Sequence, residues 1–123
     1  MTSHRAQLAA ALKPHLPDTW RIVPAQRNVD FGNKVTLLVK QRSYVRLAQA
    51  PASHLTIEFV LTLVSKHQDI DRAEDELDEL LPDLLPLLET SKMRWESATK
   101  VEVDGNRLGY DIILHLVTPK ETP

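Results

Sequence analysis

Residues 54–64, HLTIEFVLTLV, decide the fold because apolar side chains alternate along the whole stretch. One set of alternate positions is wholly apolar: Leu55, Ile57, Phe59, Leu61 and Leu63. The other set is mixed: Thr56, Glu58, Val60, Thr62 and Val64. A period of two is typical of a strand with one buried face. We therefore expect a central strand whose first set faces the core and whose second set lies at a wetter surface or an interface.

Shorter patterns on either side of this stretch predict four further elements. They are a helix over about 3–13, strands over about 19–23 and 34–41, and a β-hairpin over about 95–117 around the turn signal DGNR at 104–107. Residues 25–33 are expected to form a loop. The segment 42–52 leaves two possibilities open, an extension of the preceding strand as a protruding arm or a mobile loop.

A second helix is expected over about 70–89, where leucines recur at helical spacing. Pro82 and Pro86 interrupt it, and an interior proline removes a backbone hydrogen bond, so a kink or two short helices is expected. Asp71 followed by Glu74 resembles a capping pair at its start.

The element order is therefore α-β-β-β-α-β-β. It predicts one α+β domain over residues 1–123, with a mostly antiparallel or mixed sheet of about five strands and two helices packed on one face. Residues 118–123 are expected to form a short flexible tail.

Composition favours an ordinary soluble, intracellular domain. Apolar residues make up 42% and charged residues 26%, and there is no cysteine, which excludes disulfides and thiolate chemistry. No apolar run is long enough to cross a membrane, and the first residues lack the pattern of a secretory signal. A net charge of −2 gives no general attraction to nucleic acid or membranes.

The charge is unevenly distributed along the chain. Residues 66–89 hold nine acidic and two basic side chains and are −7, whereas residues 1–65 are +5 and residues 90–123 are neutral. A solvated acidic helix face explains this, since a helix dipole favours negative charge in the first turns. The alternative is that the acidic helix of one copy meets the basic half of another, because head-to-tail contacts build rings or filaments.

No motif for catalysis, a cofactor or a metal is found in the sequence. The five histidines lack the helical spacing of a metal site, and Glu74 stands where a calcium loop starting at Asp69 would need glycine. We expect no enzyme, cofactor or metal. Arg42, Tyr44 and Arg46 suit either nucleic-acid contact or an ordinary interface loop.

The whole chain resembles tail terminator proteins of long-tailed, siphovirus-type bacteriophages and prophages. An amphipathic first helix and five stretches carry the resemblance: VTLLV at 35–39, the long strand at 54–65, the acidic helix start at 69–80, WESA at 95–98 and GYDI at 109–112. Pro82 and Pro86 depart from the smooth helix of that family.

The resemblance implies a non-enzymatic virion protein of the tail and head–tail neck, assembled in the host cytoplasm. Members form a homo-hexameric ring on the head-proximal end of the tail tube, stop tube polymerisation and join the head connector. The implied partners are other copies, the tail tube protein and the connector or head-closure protein. Genomic DNA would pass through the lumen without specific binding, and no membrane is involved.

Ten residues are candidates for contacts with a neighbouring subunit or partner: Arg21, Arg27, Lys34, Lys40, Arg42, Tyr44, Arg46, Asp71, Asp75 and Asp78. Part of the acidic helix or the 104–107 turn is hypothesised to face the lumen, because DNA phosphates cling to basic surfaces. Two alternatives remain: another neck or head-closure component, or a small-molecule-binding α+β domain with a groove under the broken helix.

Overall fold

The computed structural model describes residues 4–24, 34–45, 54–90, 92–103 and 107–119. The elements, in chain order, are α1 (His4–Leu12), a 3₁₀ turn (Lys13–His15), β1 (Arg21–Val23), β2 (Thr36–Val45), β3 (His54–Val64), α2 (Ile70–Leu84), a 3₁₀ turn (Leu85–Leu88), β4 (Met93–Val103) and β5 (Arg107–Pro119). The predicted order of helices and strands is confirmed.

The five strands form one mixed sheet in the order β1-β2-β3-β5-β4. β1 runs parallel to β2, and every other neighbouring pair is antiparallel. The predicted central strand is confirmed, because β3 lies between β2 and β5 with registers that cover its whole length. The α+β class and the mixed sheet are likewise confirmed.

Both helices contribute to one apolar core on the same side of the sheet, which we call the covered face. Ile57, Phe59, Leu61 and Leu63 of β3 are fully buried there, as predicted. The helices supply buried partners: Leu8 and Leu12 from α1, and Leu77 and Leu84 from α2. The alternation in β3 and the helical spacing of the leucines therefore predict which residues form the core.

Three strands extend further than the sequence indicated, and one of them, β4, begins at Met93 instead of Trp95. β2 continues to Val45, so residues 42–45 belong to the extended hairpin, and residues 46–52 lie outside the described part. Arg42 is an extra residue in the β2–β3 register, which passes from Gln41 to Ser43. Thr118 and Pro119, expected in the flexible tail, pair with β3, and residues 120–123 lie outside the described part. The expected loop at 25–33 is also outside the described residues.

The start of α2 corrects the predicted cap. Asp69 is the N-cap, and its carboxylate accepts a hydrogen bond from the backbone N–H of Asp71 at 3.1 Å. Asp71 lies inside the first turn, because the helix begins at Ile70, so it is not the capping residue. A solvent-exposed Pro82 is accommodated within α2, and the helix tightens into the 3₁₀ turn at Leu85, next to Pro86.

Candidate functional site

No described helix packs against the opposite side of the sheet, which we call the open face and which carries Thr56, Glu58, Val60, Thr62 and Val64 of β3. Of the two expectations for these side chains, a wetter surface or an interface, the first is wrong at three positions. Thr56, Thr62 and Val64 are buried, while Glu58 and Val60 are half-buried. Val64 and Leu38 form a second, smaller apolar cluster with Val23 and Val103 at one end of this face.

A group of three titratable side chains crosses the open face. The Nε2 atom of His115 lies 3.1 Å from Glu58 Oε2 and 3.5 Å from Glu96 Oε2. The β4–β5 register passes from Trp95 to Ser97, so Glu96 is a bulged extra residue. A bulge redirects a side chain, and here it brings the Glu96 carboxylate to the open face. His115 thereby links three strands.

A second polar contact lies next to this group on the same face. The hydroxyl of Thr62 donates a hydrogen bond of 2.6 Å to Asp111 Oδ1. The two residues are register partners on β3 and β5. Thr62 is buried and Asp111 is half-buried, so the bond satisfies a hydroxyl that water does not reach.

The carboxylates of the acidic segment divide into two groups, and the first group holds the fold together. Glu76 Oε1 accepts hydrogen bonds from the Ser65 hydroxyl at 2.7 Å and from the Lys66 N–H at 3.0 Å. His67 Nε2 lies 3.6 Å from the other oxygen of Glu76. Glu74 pairs with Lys100 of β4 at 3.4 Å. These contacts tie α2 to the end of β3 and to β4.

The second group points away from the sheet. Asp71, Asp75 and Asp78 are spaced four and three residues apart and are all exposed, so they share the outer face of α2. Within the described residues, no cation lies within 4 Å of these three carboxylates. The structure therefore brings together the three acidic residues singled out in the sequence.

The basic candidates lie elsewhere. Arg21 is exposed on the edge strand β1, and its register partner is Thr36 of the open face. Lys40 is half-buried in β2 opposite Val60 of the same face, and Lys34 is exposed just before β2. Arg42 and Tyr44 lie in β2, by backbone position, and Arg27 and Arg46 fall outside the described residues.

The three aspartates and the basic candidates Arg21 and Lys40 thus lie on opposite sides of the domain, and the open face also carries the carboxylates of Glu58, Glu96 and Asp111. The aspartates line the outer surface of the helix layer, and Arg21 and Lys40 lie on the far side of the sheet. Because the sheet lies between them, the two sets do not pair with each other within one copy.

The sequence predicted neither the group of Glu58, His115 and Glu96 nor the hydrogen bond from Thr62 to Asp111. A signal for the group was present, because Glu58 and His115 both fall on the mixed positions of alternating strands. Their meeting depends on the β3–β5 register and on the bulge at Glu96, which alternation does not specify.

The described residues contain no group of three or more histidine and carboxylate side chains placed to hold a metal ion. In the same part of the chain, no helix is both long and apolar enough to cross a membrane. A scan against protein-family models and a search of curated proteins found no match to this chain.

Proposed function

We propose that the chain is a structural, non-enzymatic subunit that forms a ring at the head-proximal end of a phage tail tube. The ring would stop tube polymerisation and provide the surface that joins the tail to the head connector. The resemblance to tail terminator proteins supports this role. One observation on the structure carries the proposal, the placement of Asp71, Asp75 and Asp78 on one side of the domain and of Arg21 and Lys40 on the other.

A closed ring of identical copies needs two different surfaces that fit each other. The outer face of α2 presents Asp71, Asp75 and Asp78, and the open face presents Arg21 and Lys40. Since these surfaces lie on opposite sides, the helix layer of one copy meets the sheet of the next when copies stand side by side. Charged contacts of this kind guide orientation and speed association more than they add affinity.

Reversing the acidic surface tests the subunit contact. The double variant Asp75→Lys and Asp78→Lys keeps the buried helix positions and turns attraction into repulsion. We expect it to lose rings on tail tubes and to let tubes grow past their normal length. Adding Arg21→Glu and Lys40→Glu to the same chain recovers ring formation, because both surfaces are then reversed.

A matched control keeps the same change in net charge on other surfaces. Asp18 and Glu89 are exposed and lie outside α2, so Asp18→Lys with Glu89→Lys leaves ring formation intact. Normal tube capping by the Asp75 and Asp78 double variant would contradict the proposed contact. A monomer that ignores tube ends altogether would favour a neck component or a small-molecule-binding domain.

A further inference from the structure

The outer edge of β4 is a second surface of the molecule that offers backbone groups to a partner. β5 pairs with one side of β4, and no described strand pairs with the other side. Near its start this edge is closed, because the Thr90 N–H donates to the Met93 carbonyl at 3.0 Å and Glu96 forms the bulge. The regular part, residues 97–103, remains open.

The hydrogen bonds of β5 determine which β4 groups point outward. The Leu108 carbonyl accepts a bond from the Ser65 N–H at 3.1 Å, so Leu108 directs its backbone groups toward β3 and away from β4. Its register partner Glu102 therefore directs its own N–H and C=O to the outer edge. Because the direction of the backbone groups alternates along a strand, the N–H and C=O groups of Lys100 and Ala98 point to the outer edge as well.

The side chains along this edge are complementary to themselves. Lys100 and Glu102 are exposed and stand on either side of Val101. A second β4, antiparallel and centred on Val101, places Lys100 of each copy opposite Glu102 of the other. In the same register, the outward N–H and C=O groups of Lys100 in one copy face those of Glu102 in the other. Each such residue pair exchanges two backbone hydrogen bonds.

We propose that β4 pairs with β4 of a second copy about a two-fold axis at Val101. Charged side chains normally protect an exposed edge from such pairing. Here Lys100 of each copy lies opposite Glu102 of the other, so the charges favour pairing with a second β4. A strand without this charge pattern would pair less well. Neighbouring copies in a head-to-tail ring are not related by a two-fold axis, so this dimer is a state separate from the ring and does not rest on the proposed function.

Disulfide trapping tests the register directly, because the natural chain has no cysteine. In the proposed dimer, the Val101 residues of the two copies form a non-hydrogen-bonded pair. The Cα atoms of such a pair are about 4.5 Å apart, a distance that a disulfide can span. We expect Val101→Cys to form a covalent dimer under mild oxidation. Ser97→Cys is the matched control on the same strand and face, four residues from the axis, and stays monomeric. Equal trapping of both variants, or of neither, would overturn the proposal.

Charge exchange tests the side chains through the molar mass measured by light scattering. Glu102→Lys and Lys100→Glu each place like charges opposite each other and weaken the dimer by about tenfold. An equal mixture of the two variants restores it, since every Lys then faces a Glu. Circular dichroism checks the fold, because Lys100 also pairs with Glu74. Failure of the mixture to dimerise better than either variant alone would contradict the pairing. Tube capping stays normal in Glu102→Lys, which separates this test from that of the ring.

Discussion

The two faces of the sheet differ in what their side chains contact. On the covered face, alternate residues of β3 are fully buried under two helices and carry no polar atoms. On the open face, the intervening residues mix apolar side chains with polar ones, among which Thr62 bonds to Asp111 and Glu58 contacts His115 across strands. Successive side chains of β3 therefore lie on alternate faces of the sheet and contribute to both.

This difference separates stability from recognition. Burial under the helices supplies the main driving force for folding, because it removes large apolar side chains from water. The open face has fewer such side chains and more polar ones, which contribute less to folding and which, under the proposed function, help to select a partner. Substitutions on the two faces are therefore expected to differ in size even at adjacent residues.

The largest expected effect comes from adjacent residues of β3. Phe59→Ala removes a fully buried ring from the covered face and lowers the free energy of unfolding by about 3–5 kcal/mol. Val60→Ala, on the half-buried open face, lowers it by about 1 kcal/mol or less. Urea unfolding of both variants measures the difference, and equal losses would mean that the open face is covered as well.

The next effect divides the acidic helix in the same way. Glu76→Ala leaves the buried Ser65 hydroxyl and the Lys66 N–H without their acceptor and costs about 2 kcal/mol. Asp75→Ala, one residue away on the exposed side, changes stability by about 0.5 kcal/mol or less. Thermal unfolding compares the stability of the two variants. A similar loss of stability in both would contradict the distinction between carboxylates that stabilise the fold and carboxylates that do not.

A smaller effect is expected at the centre of the open face. Thr62→Val keeps the shape of the side chain and removes the donor to Asp111, which costs about 1–2 kcal/mol. Thr99→Val, the register partner of Asp111 on β4, is the control and is exposed. Chemical denaturation should separate the two variants. Matching stabilities would show that the Thr62 hydroxyl contributes nothing net.

The smallest effect distinguishes the two aspartates at the start of α2. Asp69→Ala removes the N-cap and costs about 1 kcal/mol. Asp71→Ala retains the cap, because only the backbone of Asp71 takes part in that bond. A greater loss of helix stability in Asp71→Ala, measured by thermal unfolding, would restore the cap expected from the sequence.

The sequence was sufficient for the strands that alternate strongly. The bounds of β3 were predicted to the residue, because its apolar period is unbroken between His54 and Val64. β2 was predicted too short, because its continuation past Gln41 depends on pairing with β3 and on an extra residue at Arg42. The parallel pairing of β1 was equally invisible, since three residues carry no information about their partner.

The candidate surfaces were predicted only in part. The spacing of Asp71, Asp75 and Asp78 is enough to place them on one helix face, and they lie there. The separate role of Glu76 was missed, because it depends on where Ser65 and Lys66 meet the helix. Local spacing predicts which side chains share a face, whereas tertiary contacts decide which of them are already used.

The proposed role in capping is tested by growing tail tubes in the presence of the purified chain. A tail tube protein encoded in the same genome is polymerised with increasing amounts of the chain, and electron microscopy records tube lengths and ends. We expect elongation to stop and a ring of six subunits to sit on one end of each tube. Tubes of unchanged length with bare ends at every concentration would contradict it.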